Sequence, residues 1–145
     1  MFRSTFLYLG IFTIFVSIFS LFNIFFCYYF DTSLNIQVYF GSLLVSLFLG
    51  IIFIFYNKKF LNVKVNFFEK LFLVIAGFFY FPLLISMPYY LSIYDISFIN
   101  SYFEAISGFT STGFTILENV KEIDEPLLIW RSGSQWLGGL YFLYS

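Results

Sequence analysis

Long apolar runs separated by short polar breaks set the pattern of the chain. Residues 4–30 form 27 consecutive positions without a charge. At about 1.5 Å per residue a helix of that length exceeds the roughly 30 Å hydrocarbon core of a bilayer, so the run predicts a spanning helix. A signal peptide is the rival, because Arg3 precedes the run. The apolar part is nevertheless longer than the roughly 7 to 15 residues of a signal-peptide core, and no small-x-small cleavage site comes after it. A second run, residues 36–56, comes after a turn at Asp31 and ends at Asn57, Lys58 and Lys59. A third, residues 67–87, starts beside Glu69 and Lys70 and carries Pro82 and Pro88, which are expected to bend or end the helix near its far side.

The next segment breaks the pattern. Between Glu104 and Glu118 lie 13 uncharged residues, too few to cross a bilayer as a helix, so the segment enters and returns or stays in water. Ser101 and Glu104 have the S-x-x-E spacing of a capping box, which predicts a short helix from about residue 102 that Gly108 is placed to end. Such a helix penetrates about 10 Å. Its carboxyl end favours a cation. The stretch at that end is rich in hydroxyls and bare backbone, SGFTSTGFT over residues 107–115. Irregular backbone at membrane depth is tolerated only where protein buries it or it lines a water-filled cavity, and carbonyls facing such a cavity can replace a cation's hydration shell. Gly113 permits a backbone angle closed to other residues. An ordinary extracellular Ser/Thr/Gly loop is the alternative. Beyond it, residues 118–125 (ENVKEIDE) are polar enough for water, and Pro126 opens a last apolar run at the first helical position.

Composition narrows the chemistry. The chain has 145 residues, 61% hydrophobic and 10% charged, which places it in the membrane class. A net charge of -1 offers no basic face for nucleic acid. Histidine is absent and Cys27 is the single cysteine, so the usual metal ligands, catalytic bases and internal disulfides are missing, and bond-making catalysis is not expected. The 27% aromatic content reads as compositional bias satisfying lipid rather than as a cofactor box. Arg131, in the last run, is expected to snorkel outward or pair with Glu104, Glu122 or Glu125. Ser134 and Gly138 have the small-xxx-small spacing of close helix packing, with the short helix as the expected neighbour. Cations flank the first run (Arg3) and fill the second connection (Lys58, Lys59, Lys64, Lys70), so the amino terminus and this connection are expected to be cytoplasmic.

The order of spanning helix, capped short helix, SGFTSTGFT, acidic loop and then LLIWRSGSQWLGG resembles the first pore-forming unit of the Trk/Ktr/HKT family of potassium transporters, over about residues 71–145. The two earlier helices match the additional amino-terminal pair of its TrkH-type members. The resemblance implies an all-α membrane protein with one re-entrant half-helix and pore loop, divided into a helix pair (1–66) and a helix, pore loop, helix unit (67–145) whose second helix is incomplete. It implies a K+ filter at Thr110, Ser111, Thr112, Gly113 and Phe114, continuing to Thr115, with Ser101 and Glu104 capping the pore helix and no cofactor. Trp130, Arg131, Gln135, Trp136, Gly138 and Gly139 match the start of the unit's second helix. Partners implied are membrane lipid, the remaining pore units of the same or a longer chain, a homodimeric mate and a cytoplasmic nucleotide-binding gating subunit, in the inner membrane. The family has four such units where this sequence holds one, so it reads as the front of a longer transporter. A small structural or accessory membrane protein, or a nonfunctional fragment, is the second reading.

Overall fold

The computed structural model describes residues 3–32, 36–60, 66–117 and 123–145. Its five α-helices are, in order, α1 (Arg3–Tyr29), α2 (Ile36–Asn57), α3 (Phe67–Tyr90), α4 (Phe98–Phe109) and α5 (Glu125–Tyr144), with a 3-10 turn at Lys58–Phe60 extending α2. The described residues contain no strand. Three helices, α1, α2 and α3, are long and apolar enough to cross a membrane. The chain is a multi-pass membrane protein. Helix α5 is not among those three, because Arg131, Ser132, Ser134 and Gln135 interrupt its apolar character.

Helices α1 and α2 form an antiparallel pair built on small residues. A Cβ on Gly10 would lie 2.6 Å from Phe53 Cβ and 3.2 Å from the Gly50 carbonyl oxygen, so the two backbones approach closely where neither carries a side chain. Farther along, Ser20 Oγ and Ser42 Oγ lie 3.2 Å apart and fix the register. The buried stripe of α2 is narrow, Tyr39, Ser42, Ser46 and Gly50, one residue per turn. Phe40, Leu44, Phe48, Ile51 and Phe55 are exposed on its other sides, as suits a helix facing lipid.

Helix α3 differs from expectation. It runs to Tyr90, past the expected end at residue 87, and carries both Pro82 and Pro88 inside it. Neighbouring hydroxyls support its backbone there: Tyr102 Oη donates to the Phe79 carbonyl (3.2 Å) and Ser86 Oγ to that of Leu83 (2.8 Å). Its start is a capping box, in which the Asn66 amide donates to Glu69 Oε2 at 3.0 Å. Helix α5 runs antiparallel to it. Trp130 Nε1 donates to the Ile85 carbonyl (3.0 Å) near one end, and Tyr141 Oη donates to the Leu73 carbonyl near the other, passing over Gly77, where any Cβ would collide with the phenol.

Aromatic rings make the centre of the bundle. Phe12, Phe81, Phe109 and Tyr141 meet with centroids 4.9–5.7 Å apart, and Trp130 stacks on Phe19 at 4.9 Å. The aromatic bias thus does more than satisfy lipid.

The acidic residues 118–122, Glu122 as a partner for Arg131, Lys64 and the side chain of Arg3 lie outside the described residues.

Candidate functional site

Helix α4 begins one turn earlier than its S-x-x-E motif suggests. Ser97 is the N-cap, its Oγ accepting from the Asn100 amide at 3.4 Å, and the helix runs for 12 residues, about 18 Å. Ser101 and Glu104 therefore do not cap it. The Ser101 amide is already bonded to the Ser97 carbonyl (2.8 Å), its Oγ donates to the Ile96 carbonyl (3.4 Å), and Glu104 is fully inside the helix with its carboxylate turned to α5. The physical reason is that starting at Ser97 adds a turn of backbone hydrogen bonds while keeping a serine cap, and it leaves Glu104 free for a stronger, charged partner.

The other end of α4 lies beside the middle of α3. Phe109 packs against Phe78 and Phe81, with ring centroids 5.7 and 5.6 Å away. Helix α5 runs beside α4 without a gap: a Cβ on Gly108 would strike Ser134 Oγ, and one on Gly138 would strike the Phe109 carbonyl. The expected small-xxx-small contact is formed, and Gly108 serves it rather than ending the helix. Termination instead falls to Ser111, in the left-handed region at φ 56°. Its amide donates to the Gly108 carbonyl (2.9 Å) and the Thr112 amide to that of Ser107 (3.1 Å), the paired bonds of a Schellman motif with serine where glycine is usual.

Residues 112–117 continue without regular structure, and Gly113 takes φ 79°, which a side chain would strain. Thr110, Ser111, Thr112, Gly113, Phe114 and Thr115 are all exposed, with Phe114 at 70%. Buried Ser107 props the strand from below, pairing with Thr112 Oγ1 (3.2 Å) and donating to the Phe114 carbonyl (2.5 Å). Ser111 Oγ donates to the Gln135 carbonyl at 3.4 Å. The carbonyls of Gly113 and Phe114 are thus partly engaged, each keeping a second lone pair, while those of Ser111 and Thr112 accept no hydrogen bond among the described residues. A shallow cleft lined by Gln135, Trp136, Gly139, Leu140 and Leu143 continues along α5.

Glu104 organises the strand's return. Its carboxylate is 1% exposed and accepts from Arg131 Nε at 2.6 Å, from Thr115 Oγ1 at 3.0 and 3.1 Å, and from the Ile116 amide at 3.1 Å. Arg131 Nη2 reaches on to the Gly113 carbonyl at 3.3 Å. One ion pair thereby ties α4, α5 and both sides of the loop. Glu104 was among the acids that the sequence offered to Arg131, whereas Ser97 went unnoticed there and Ser107 was read only as part of the hydroxyl-rich stretch. Before α5, Tyr94 Oη donates to Asp124 Oδ1 (3.0 Å) and accepts from the Asp124 amide (2.7 Å). Burial holds the Tyr94 phenol above its ordinary range, and it stays a neutral donor. Pro126 sits at the second helical position of α5, after Asp124 as N-cap and Glu125. Among the described residues no group of three or more Cys, Asp or Glu side chains could hold a metal ion.

Parts of the chain are similar in sequence to three curated proteins. A stretch of 58 residues, 40% of this chain, is 40% identical to an uncharacterised cation transporter of Methanocaldococcus jannaschii. Fifty-five residues, 38% of the chain, are 40% identical to the Trk system potassium uptake protein TrkI of Halomonas elongata. The chain is related to the Trk potassium uptake proteins. A third relative, TrkG of Escherichia coli, is 37% identical over 46 residues. The matched stretches make up only 12%, 11% and 10% of the lengths of these proteins. No protein-family model matches the chain. No solved structure matches it either.

Proposed function

We propose that residues 110–114 form a selectivity filter for K+ and that this chain is the first pore-forming unit of a longer potassium uptake protein. The observation that carries the reading is the placement of a hydroxyl-rich irregular segment, left-handed at Ser111 and Gly113 and exposed over Thr110, Ser111, Thr112, Gly113 and Phe114, at the carboxyl end of a short helix that stops beside the middle of spanning helix α3. Exposed irregular backbone at that depth is unsatisfied in lipid and must face water or other protein. Carbonyl oxygens and the negative end of α4 both favour a cation there. Covering the exposed face and closing a path around it fall to further units of the same kind. The names of the related transporters agree with this. With the amino terminus and Lys58, Lys59 and Lys70 in the cytoplasm of the inner membrane, α4 enters from outside. A homodimeric mate and a cytoplasmic nucleotide-binding gating subunit belong to the same proposal. No resident cofactor is needed.

Gly113→Ser in the full-length protein tests it. The substitution strains a backbone held at φ 79° and is expected to weaken discrimination between K+ and Na+ in an uptake assay. Unchanged selectivity at normal expression would remove Gly113 from the filter.

A further inference from the structure

Away from the loop, α1 and α2 enclose an amide that has no partner. Asn23 is fully buried, and neither its Oδ1 nor its Nδ2 is hydrogen-bonded within the chain. The Ser20 to Ser42 contact fixes the antiparallel register, so moving three residues onward in α1 and three back in α2 brings Asn23 level with Tyr39. Tyr39 is also fully buried, and its Oη likewise has no partner. The Tyr39 ring lies against Trp130, 5.8 Å between centroids, so the pair sits behind the helix that carries Arg131. Thr32 Oγ1, near the α1–α2 turn, and Tyr89 Oη, on α3, are the other buried hydroxyl oxygens without a partner among the described residues.

Two amide hydrogens, an amide oxygen and a phenol cannot stay unsatisfied side by side in an apolar bundle without a large penalty. The neighbouring polar residues on these helices do not help. Ser20 Oγ is directed to the Val16 carbonyl and to Ser42, and Ser46 Oγ to the Ser42 and Leu43 carbonyls. A small neutral molecule that both donates and accepts would bridge the Asn23 amide and the Tyr39 hydroxyl. We infer that the space between Asn23 and Tyr39 is a binding site for resident water, bridging the two side chains and holding α1, α2 and the Trp130 face of α5 in register. Asn23 and Tyr39 are both neutral, so the pair itself gives an ion no counter-charge. This inference stands whether or not the loop conducts K+.

The experiment is a density map of the full-length protein in lipid nanodiscs, at a resolution that shows ordered water, together with the thermal unfolding of Asn23→Leu, Tyr39→Phe and the double variant. Water density within hydrogen-bond distance of both Asn23 and Tyr39 Oη is expected. Each single variant strands its former partner and lowers Tm by a few degrees, and the double variant, with neither group left to satisfy, melts above both singles. A direct bond from the Asn23 amide to Tyr39 Oη with no water between them overturns the inference. So does a rise in Tm for Asn23→Leu alone. K+ uptake is not the readout, so failure here leaves the filter proposal untouched, and the reverse also holds.

Discussion

The α1–α2 pair and the unit from α3 to α5 solve the same problem, holding helices together in lipid, in opposite ways. The pair uses absence: bare glycines, short serines and one narrow buried stripe, with large apolar side chains turned outward. The unit uses commitment. A carboxylate 1% exposed accepts from an arginine, a threonine and a backbone amide, and the loop it supports has no regular secondary structure of its own. Small-residue packing is forgiving because loosening it strands no charge. A buried charge is not, because removing one partner strands the other. Among the described residues, irregular backbone beside the middle of a spanning helix occurs only in the costly region.

The sharpest way to break the contrast is Glu104→Ala. It leaves Arg131, the Thr115 hydroxyl and the Ile116 amide without their acceptor, and the expected cost is about 3 kcal/mol or more, in the range for stranding one member of a buried pair. Thermal unfolding of the full-length protein checks the stability, and K+ uptake should fall with it. Replacing both residues, Glu104→Gln with Arg131→Gln, should recover part of the lost Tm. A double variant no more stable than Glu104→Ala would mean that the ion pair is not what holds the loop.

Next in size is Gly138→Ala. The added Cβ falls on the Phe109 carbonyl, a backbone atom at the foot of α4 that cannot rotate away. Overpacking of this kind costs about 1–3 kcal/mol, and here the only relief is to shift α4 and the loop after it. Uptake should drop by more than the modest fall in Tm implies. Gly139→Ala is the control, since a Cβ there meets nothing within 4 Å. Equal effects of the two would show that α4 is not packed on Gly138.

How far these features could be read from the sequence tracks the same division. The spans were legible because hydrocarbon thickness sets their length and charges bound the first run, Arg3 and Asp31 on either side of α1. The need for a left-handed residue at Gly113 was legible, since glycine announces it. The start of α4 was not. Ser97 and Ser101 are both good caps, and the choice between them is made by Arg131, 27 residues away from Glu104 in sequence but 2.6 Å from it in space. Nor was the end: Gly108 looks like a terminator, yet its missing side chain is spent on Ser134, and the left-handed turn passes to Ser111. Local chemistry named the candidates, and contacts between helices selected among them.

The smallest effect belongs to the pair. A Cβ on Gly50 would meet Ile14 Cδ1 at 2.6 Å and Cγ1 at 3.0 Å, on a side chain that can change rotamer, and the Gly10 carbonyl oxygen at 3.2 Å, which a small shift of the helices relieves. Alanine also favours the helix by about 1 kcal/mol over glycine, which offsets most of the crowding. Gly50→Ala should therefore shift Tm by little and leave both the rate of K+ uptake and its selectivity over Na+ unchanged. The prediction is informative because α1 reaches the unit directly: Phe12 touches Phe81 and Tyr141, and Phe19 stacks on Trp130. If a methyl group at Gly50 altered ion selectivity, strain in the pair would be travelling through those rings to the loop. The pair would then be part of the filter's support rather than a separate solution beside it.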